Sequence, residues 1–470
     1  MAGSIPGMSR RELVQMLAAA GGTAVLPRTA RAADAPVTLG YGAERGATIP
    51  ADFVGLSFER AQLSNPGYFS ADNRELVRLV RGLSPSGSLR LGGSSGEHTR
   101  YVGEAAPPPP FEIFGPEHNK TVKDGMVASA PALRNLRGFL DATGWRCLYG
   151  LNLANATPEA AAREAADVQR ILGPRLTAFQ IGNEPDAFRN RFRPATWGPS
   201  DFLEEWARFH AAIAAAAPGA KFAGPDISNK LDYLTAFAQV ARRYPDLIML
   251  TGHYYAMGPA GSPDATLDQL REPEPRTTTF KAVGYDVVDQ AVAASGLPYR
   301  MVEGNSCWDG GKLGVSDVHA AALWGADAML RFARHGWIGI NWHGGGYGNY
   351  APIVGAPSKG FSRRPLYYGT QFGQLLHGAT FLRTTDVADL YVGYYALRQG
   401  ALDRIAVINK RDTPVVVMLP TMPHSEVAVL TGPSAAAKDA TTLTTLSRKP
   451  SRRVTIPPVT AMLFTIEARG

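Results

Sequence analysis

The strongest constraint on the fold is the alternation of short apolar runs with segments of helical periodicity along most of the chain. Eight runs have the length of a strand, and several are almost continuously apolar, which is typical of parallel strands buried on both faces. They are Phe53–Glu59, Ser88–Gly92, Arg146–Leu153, Ala178–Asn183, Lys221–Pro225, Ile248–Tyr255, Tyr299–Glu303 and Trp337–Trp342. Because helical patterns separate these runs, the sequence predicts an α/β fold, a closed (β/α)8 barrel of the TIM type.

The helical segments carry their own start and periodicity signals. Leu76, Leu79, Val80 and Leu83 recur at the helical period and predict a helix over Asn73–Leu83. Thr157-Pro158 opens an alanine-rich segment ending near Leu172, with threonine as the N-cap and proline in the first turn. Further helices are expected from Ser200 to about Ala217, over Asp317–His335 and over Pro365–Leu376.

A change of texture near Ala379 indicates a second domain. Beyond it, short segments rich in Val, Thr and Ile are separated by turn residues, which is typical of a β-sandwich. We therefore expect the barrel to occupy residues 45–378 and an all-β sandwich to occupy 379–470, with residues 36–44 as a candidate further strand of the sandwich. The predicted strands are Leu390–Leu397, Arg404–Asn409, Val415–Leu419, Glu426–Leu430, Arg453–Ile456 and Ala461–Glu467.

The first 32 residues have the layout of an export signal. Ser9-Arg10-Arg11-Glu12-Leu13-Val14 resembles a twin-arginine motif, a weakly apolar run follows, and Ala30-Arg31-Ala32 has the small-x-small form of a cleavage site. We expect residues 1–32 to be a twin-arginine-type signal peptide and the mature protein to be periplasmic or extracellular. No later run reaches the roughly 18 apolar residues of a membrane span, so no membrane partner is expected.

The composition bears on partners and on disulfides. The formal net charge is +7, but part of it lies in the first 32 residues and no run of Lys and Arg occurs, so we expect no nucleic-acid partner. The two cysteines, Cys147 and Cys307, are too few for a disulfide framework, and their place at different strand ends argues against one bridge.

Carboxylates at strand ends are the candidates for chemistry, because active sites in this fold lie at the C-terminal ends of the strands. Glu184 follows the fourth predicted strand in Gly182-Asn183-Glu184-Pro185, and Glu303 ends the seventh. Glycoside hydrolysis requires two carboxylates, one to protonate the leaving oxygen and one to attack the anomeric carbon or activate water. The fourth and seventh strands face each other obliquely across the barrel, which allows the separation of about 5 Å that retaining enzymes use.

Several motifs resemble those of glycoside hydrolase family 79, the heparanase and β-glucuronidase family, and they occur in the same order through most of the barrel. They are Arg81-Gly82-Leu83-Ser84-Pro85 with Leu89-Arg90-Leu91-Gly92-Gly93, Gly182-Asn183-Glu184-Pro185 with Phe188, Gly304–Lys312 with Val315-Ser316-Asp317, and Gly346–Tyr350. The resemblance implies Glu184 as general acid/base and Glu303 as nucleophile, and a β-sandwich tail also fits it. It further implies that Asn183 holds the sugar 2-hydroxyl, that Glu59 contacts hydroxyls at the rim, and that Tyr254 or Tyr255 orients the nucleophile.

The loop after Glu303 departs from the family pattern. The family reads a uronic carboxylate with a tyrosine in this loop, a neighbouring glycine N–H and a second tyrosine one strand later. Gly310 and Tyr350 match the last two, whereas Trp308 stands in place of the first tyrosine and Asp309 follows where glycine is usual. An indole N–H can donate to a carboxylate, Asp309 would repel one, and Lys312 is a candidate compensating cation.

These features predict a retaining, exo-acting β-glucuronidase that acts on a carbohydrate substrate and needs no cofactor. Trp308 and Asp309 keep open a glycosidase for a neutral sugar, such as a β-glucosidase or β-xylosidase. Endo-cleavage of heparan- or hyaluronan-like polymers is a second alternative, and a catalytically silent sugar-binding protein is a third. His253 and His343 are interpreted as hydrogen-bonding pocket residues, because no ligand spacing supports a metal site.

Overall fold

The computed structural model describes residues 36–105, 126–272, 284–344, 346–385, 387 and 391–468. The predicted signal peptide lies outside these residues. The first twelve described strands are β1 (Val37–Thr38), β2 (Tyr41–Thr48), β3 (Val54–Glu59), β4 (Ser88–Gly92), β5 (Arg100–Tyr101), β6 (Val127–Ala128), β7 (Arg146–Leu151), β8 (Leu176–Ile181), β9 (Phe222–Ile227), β10 (Leu247–Tyr255), β11 (Tyr299–Asn305) and β12 (Ile340–His343). All but β1, β2, β5 and β6 form one closed parallel barrel in chain order, which confirms the predicted (β/α)8 fold.

Helices lie between successive barrel strands of the described chain, and one further helix, α9, follows the last of them. They are α1 (Arg74–Leu83), α2 (Ala130–Thr143), α3 (Pro158–Leu172), α4 (Pro199–Ala216), α5 (Leu231–Val240), α6 (Leu267–Arg271), α7 (Tyr285–Ser295), α8 (His319–Arg334) and α9 (Pro365–Gln374). The hydroxyl of Thr157 accepts the N–H of Ala160 at the start of α3, as an N-cap threonine should. Helix α4 begins one residue before the expected Ser200, because Pro199 fits the first turn and Asp201 accepts the N–H of Gly198.

The barrel interior is closed by a small apolar cluster, separate from the main core between sheet and helices. Five consecutive strands, β7 to β11, each contribute one buried residue to it. These residues are Leu148, Ala178, Ala223, Met249 and Val302. Since the strands surround a common axis, this cluster forms a floor, and the polar residues described below lie towards the C-terminal ends of the strands.

Strands β13 (Ile353–Ala356) and β14 (Gly360–Arg363) form a hairpin between the last barrel strand and α9. The described chain after α9 is all β. Its strands are β15 (Thr380–Thr384), β16 (Val392–Gln399), β17 (Leu402–Asn409), β18 (Val415–Met418), β19 (Glu426–Thr431), β20 (Thr442–Ser447), β21 (Arg453–Ile456) and β22 (Thr460–Glu467). Seven strands form one sheet in the order β2-β15-β16-β17-β22-β19-β20, and β1-β18-β21 form a second. Side chains of both sheets share one apolar core, among them Val407, Phe464, Val417 and Ile456.

Two strands of this part were missing from the sequence prediction. Strand β20 is almost wholly exposed at the sheet edge, so it lacks the apolar alternation that reveals a half-buried strand. Strand β15 begins after α9 and five intervening residues, at the point where the texture of the sequence changes. The N-terminal strands β1 and β2 pair with β18 and β15, so β2 crosses the expected boundary at residue 45. The domain boundaries themselves stay predictions.

Two further expectations concern the cysteines and membrane-spanning helices. Cys147 on β7 and Cys307 after β11 are both buried free thiols. Among the helices of the described residues, none is both long enough and apolar enough to cross a bilayer.

Candidate active site

A cavity of about 790 Å³ opens at the C-terminal ends of the barrel strands. Glu184 and Glu303 both line it, although they are far apart in the chain. Of the eight residues expected to contact the substrate or to orient the nucleophile, five also line it, and they are Glu59, Tyr255, Trp308, Gly310 and Tyr350. Three are not among its lining residues, and they are Asn183, Tyr254 and Lys312.

Glu184 has a backbone conformation that few non-glycine residues adopt. It lies just beyond β8, with φ 52° and ψ 54°, and a short 3-10 helix over Pro185–Ala187 follows at once. Its N–H donates to the carbonyl of Asp226 at 2.9 Å, and its own carbonyl accepts the N–H of Ala187 at 2.8 Å. These bonds stabilise a conformation that costs on the order of 1–3 kcal/mol, and such strain is common where a side chain must be aimed.

Glu303 projects from β11 into a strongly cationic and hydrogen-bonding environment. The hydroxyl of Tyr255 donates to Oε1 at 2.7 Å, and the guanidinium of Arg90 donates to Oε2. Burial by itself would raise the pKa of Glu303, but His343, His253 and Arg90, with the Tyr255 hydrogen bond, hold it well below its usual range. Glu303 is therefore an ionised carboxylate at neutral pH, which a nucleophile requires.

The two carboxylates face each other at short range. An oxygen of Glu184, an oxygen of Glu303 and a ring nitrogen of His253 all lie within 4.8 Å of one another. His253 Nδ1 is 3.0 Å from Oε1 of Glu184 and 3.9 Å from Oε1 of Glu303. The fourth and seventh barrel strands thus bring their glutamates together, as their spacing in the sequence predicted.

The same three residues have ligand atoms close enough for a metal ion, and His253 is also held by hydrogen bonds. Its Nδ1 contacts Glu184 and its Nε2 contacts Asp226 at 3.1 Å. Burial alone would lower the pKa of His253, yet the charges of Glu303 and Asp226 and the hydrogen bonds to Asp226 and Glu184 raise it to about 10. Both ring nitrogens of His253 thus contact carboxylates, which is a hydrogen-bonding arrangement of the kind expected from the sequence.

Arg90 on β4 is a central residue of the site that sequence reasoning treated only as part of a motif. Its side chain is fully buried and donates to Glu303, to Asp226 at 2.6 Å and to Asn183 Oδ1 at 2.7 Å. Gln180, which accepts from Arg90 at 3.2 Å, donates in turn to Asp226 at 2.6 Å. The available signal was a charged residue inside a strand buried on both faces, because such a charge must find a counter-charge.

Glu97 was also missed, and it fixes the chain just before the acid/base candidate. Its carboxylate accepts the N–H of Asn183 at 2.6 Å, of Leu153 at 2.9 Å and of Ala154 at 2.7 Å. Burial raises the pKa of Glu97 to about 7 against the effect of these three donors. It joins the segment after β7 to the segment after β8, which carries Glu184.

The two adjacent tyrosines of β10 have opposite environments, because successive side chains of a strand point to opposite faces. Tyr255 lies in the cavity and contacts Glu303. Tyr254 packs edge-on against Phe332 of α8 with ring centroids 5.6 Å apart. Of the two candidates for orienting the nucleophile, the geometry selects Tyr255, and Tyr254 was the wrong candidate.

Some of the residues expected to bind a uronic carboxylate lie together in the cavity wall. Trp308, Asp309, Gly310 and Tyr350 line the cavity, and Asp309 is exposed with φ 59°. Lys312 points elsewhere, since its ammonium donates to the carbonyl of Ser262 at 3.2 Å. The suggestion that Lys312 compensates for the missing tyrosine was therefore wrong.

The loops after β11 and β12 are joined at the cavity wall. The N–H of Asn349 donates to the carbonyl of Gly310 at 2.6 Å, and its Nδ2 donates to that of Gly311 at 2.9 Å. A Cβ on Gly311 would approach Tyr350 to 2.9 Å, and one on Gly348 would approach the carbonyl of Gly310 to 2.9 Å. The two loops therefore form one tightly packed wall.

Two other expected residues are held by polar neighbours. Glu59, at the end of β3, accepts the N–H of Ser95 at 2.8 Å and lies 3.7 Å from Nε2 of His343. The Oδ1 of Asn183 accepts a hydrogen bond from Arg90, and this bond sets the orientation of the Asn183 amide from below the cavity. Glu59 lines the cavity as expected, whereas the 2-hydroxyl role of Asn183 stays a prediction.

No family model matches the chain. A β-glucuronidase from Aspergillus niger is 24% identical over 407 residues, which cover 76% of this chain and 71% of the relative. A β-glucuronidase from Neurospora crassa is 23% identical over 337 residues, and this match covers 65% of this chain but only 58% of the relative.

Solved structures share the architecture. A 4-O-α-L-rhamnosyl-β-D-glucuronidase from Fusarium oxysporum aligns with a TM-score of 0.69 at 16% identity, covering 92% of this chain and 100% of that one. A GH51 arabinofuranosidase from Xanthomonas axonopodis pv. citri aligns with a TM-score of 0.66 at 15% identity and the same coverage. At these identities the structures show the fold alone. The barrel, the facing carboxylates and the two sequence relatives together define the chain as a glycoside hydrolase.

Proposed function

We propose that this glycoside hydrolase is an exo-acting β-glucuronidase of family 79 type that works by double displacement with retention. The observation that carries the mechanism is the approach of Glu184 and Glu303 to within 4.8 Å. Retaining enzymes hold their carboxyl groups about 5–5.5 Å apart, whereas inverting enzymes need about 6.5–9.5 Å to admit a water. The short separation leaves Glu303 next to the anomeric carbon and favours direct attack.

In the first step, an oxygen of ionised Glu303 forms a bond to C1 while the glycosidic bond breaks. Glu184 gives its proton to the departing oxygen, so the leaving group departs as an alcohol. In the second step Glu184, now a carboxylate, takes a proton from water, whose oxygen bonds to C1 and releases Glu303. Each step inverts C1, and the overall result is retention. Arg90 and Tyr255 favour the ionised form of Glu303 from which the first step begins.

The choice of a glucuronide rests on the sequence relatives and on the wall of the cavity. Both curated relatives are β-glucuronidases. Tyr350 is buried in the cavity wall, and Gly310 lies beside it in the joined loops. We assign the Tyr350 hydroxyl and the Gly310 N–H to the carboxylate of the sugar, with the indole of Trp308 as a third donor in place of the usual tyrosine.

A glycosidase for a neutral sugar is the second candidate, because Asp309 lines the same cavity. An exposed carboxylate near the sugar repels a uronate and leaves a neutral sugar unaffected. The deciding experiment compares kcat/KM for aryl β-glucuronide, β-glucoside and β-xyloside at one pH and salt concentration. We expect the glucuronide to be preferred, and equal or higher values for the neutral sugars would reject the glucuronidase assignment.

Retention is tested on the same substrates. NMR of the first product formed should show the β-anomer, followed by slow mutarotation. An α-anomer as first product would reject double displacement while leaving the sugar preference intact. A protein that binds these glycosides without turning any over would instead be a sugar-binding protein.

Export by a twin-arginine-type signal and the domain boundaries at 45–378 and 379–470 are part of the same proposal. The order of the arginine pair, the apolar run and Ala30-Arg31-Ala32 supports export to the periplasm or the medium. N-terminal sequencing of the exported protein should begin at Ala33 or close to it. Replacement of Arg10 and Arg11 by Lys should keep the protein in the cytoplasm.

A further inference from the structure

Asp226 is a buried carboxylate below the cavity that links the two catalytic candidates. It lies on β9, is 1% exposed, and has φ 61°, a conformation that is rare for a residue with a side chain. One oxygen accepts from Arg90 at 2.6 Å, and the other lies 3.1 Å from Nε2 of His253. Arg90 in turn contacts Glu303, and His253 contacts Glu184. Asp226 is therefore connected to each catalytic candidate through a single intervening side chain.

The arrangement brings two cations unusually close. Nη2 of Arg90 lies 3.5 Å from Nε2 of His253, and both side chains are buried. Two like charges at this range in a poorly hydrated site repel each other strongly unless anions lie between or beside them. Asp226 contacts both, and Glu303 contacts Arg90 and lies 3.9 Å from Nδ1 of His253.

The surrounding groups add little further negative charge at this point. Tyr255 packs beside Glu303 as a neutral phenol, because burial and the neighbouring carboxylate raise its pKa. His343 approaches Glu303 from β12 at 3.8 Å and is itself 3.7 Å from Glu59. Glu184 is the remaining carboxylate that faces His253, and its proton moves during the reaction.

This inference rests on the proposed retaining mechanism. When Glu303 forms an ester with C1, it loses its negative charge, and Arg90 and His253 lose one of their two shared anions. Asp226 reacts with nothing and keeps its charge throughout. We propose that Asp226 is a positioning residue for the second step, in which its fixed charge holds the His253 imidazolium against Glu184 while Glu303 is esterified.

Replacement of Asp226 by Asn keeps the size of the side chain, removes its charge and turns one of its two acceptor oxygens into a donor. In the free enzyme Glu303 is still ionised and still offsets both cations, so kcat/KM for an activated aryl glycoside should fall by no more than about threefold. In the glycosyl-enzyme of the variant, Arg90 has lost both of its anions and His253 keeps only Glu184. Therefore kcat should fall about tenfold or more, and KM should fall with it as the intermediate accumulates. A burst of aryl alcohol should precede the slow steady state.

The pH dependence of kcat distinguishes this role from a merely structural one, which would leave the pH profile unchanged. The charges of Glu303 and Asp226 raise the pKa of His253 against the effect of burial and keep its imidazole protonated. Without Asp226, and with Glu303 esterified, the imidazole loses its proton more readily. The alkaline limb of kcat in Asp226→Asn should therefore move to lower pH, while the alkaline limb of kcat/KM moves less.

Glu164→Gln is the matched control. Glu164 on α3 is also a buried carboxylate beside a fully buried arginine, Arg60, at 3.4 Å, but neither residue lines the cavity. We expect this variant to keep the ratio of kcat to kcat/KM of the wild-type protein. A second variant, Asp226→Asn combined with His253→Gln, removes one of the two cations as well. If Asp226 acts through His253, the Asp226→Asn change should lower kcat less in that background than alone.

The outcomes separate this inference from the proposed function. A wild-type protein that forms the inverted anomer first would reject double displacement and this inference with it. A retaining wild-type protein whose Asp226→Asn variant loses kcat and kcat/KM equally, with an unmoved alkaline limb, would overturn the inference alone. Additive effects of Asp226→Asn and His253→Gln on kcat would also overturn it, because independent residues add.

Discussion

The hydroxyl of Tyr255 donates to Oε1 of Glu303 at 2.7 Å, from the strand adjacent to the one that carries the glutamate. The bond is set by the barrel itself, because β10 and β11 pair in parallel and a register shift at Gly252/His253 aligns His253 with Glu303. His253 and Tyr255 are two residues apart and thus share the inner face of β10. The neighbouring strand therefore supplies both a cation and a phenol to the two carboxylates.

Removal of this phenol should leave the nucleophile less well oriented. In Tyr255→Phe we expect kcat/KM to fall by about 10- to 100-fold, since a hydrogen bond to a charged group contributes roughly 1.5–3 kcal/mol. The Tyr255 bond helps to keep the pKa of Glu303 low, so its loss raises that pKa and moves the acidic limb of kcat/KM to higher pH. The matched control is Tyr254→Phe, whose ring packs against Phe332, and it should leave the profile in place.

Removal of each carboxylate should have a distinct consequence. Glu303→Ala should abolish turnover, and azide should restore it and form the α-glycosyl azide, because the small anion replaces the nucleophile on the same face of the sugar. Glu184→Ala should retain the first step with aryl leaving groups that need no proton, and azide should form the β-glycosyl azide. Near-normal activity in Glu303→Ala would mean that the carboxylate pair is assigned incorrectly.

Removal of the Asp309 charge should favour uronates. Asp309→Gly removes a charge from the cavity wall and suits φ 59°, which glycine adopts without strain. We expect kcat/KM for aryl β-glucuronide to rise several-fold and that for the glucoside to stay constant, with the gain shrinking at high salt because the charge is exposed. An equal change for both sugars would show that the loop shape, and not the charge, is responsible.

A stability prediction concerns Asp327, which joins α8 to the seven-stranded sheet. It accepts from Lys410 at 2.7 Å and from Tyr395 at 2.6 Å, and all three side chains are buried. In Asp327→Asn the lysine is left without its counter-charge, which should lower the unfolding free energy by about 3–5 kcal/mol at pH 7 in urea titrations. The exposed pair Glu104–Arg134 provides a control, and Glu104→Gln should change the stability little.

The difference in unfolding free energy between wild type and Asp327→Asn should decrease as the pH falls. Burial opposes ionisation of Asp327, but Lys410 and Arg331 hold its pKa well below the usual range. A depressed folded-state pKa contributes stability above the unfolded value of about 3.9, and this contribution is lost as pH falls further. The stability gap between wild type and Asp327→Asn should therefore narrow below about pH 4, and a gap that is constant down to pH 2 would contradict the assignment.

The barrel could be predicted from the sequence because its strands are buried on both faces and read as continuous apolar runs. Ser88–Gly92 was predicted to the residue, even with Arg90 at its centre. Glu184 and Glu303 could be found because each stands at a strand end in a recognisable motif. Their separation of less than 5 Å depends on the closed barrel, which the sequence implied once eight strands were counted.

The remaining site residues depend on tertiary contacts that local patterns do not encode. The partners of Arg90 and Asp226 come from several strands, and no spacing along the chain brings them together. The choice between Tyr254 and Tyr255 depends on which face of β10 turns inward, and a strand buried on both faces does not reveal this. Lys312 failed as a candidate because a flexible side chain in a loop can reach a carbonyl on either side.

The joined loops at the cavity wall bear on how sugar preference can diverge in this scaffold. Asn349 is bonded to Gly310 and Gly311, and two glycines leave no room for a side chain between the loops. A larger side chain on one loop would therefore clash with the other loop. Most single replacements there should destabilise the protein and leave its sugar preference unchanged. New preferences should arise by exchanging both segments as a unit, and combinatorial libraries that vary 308–311 together with 346–350 should yield more folded variants than libraries that vary either alone.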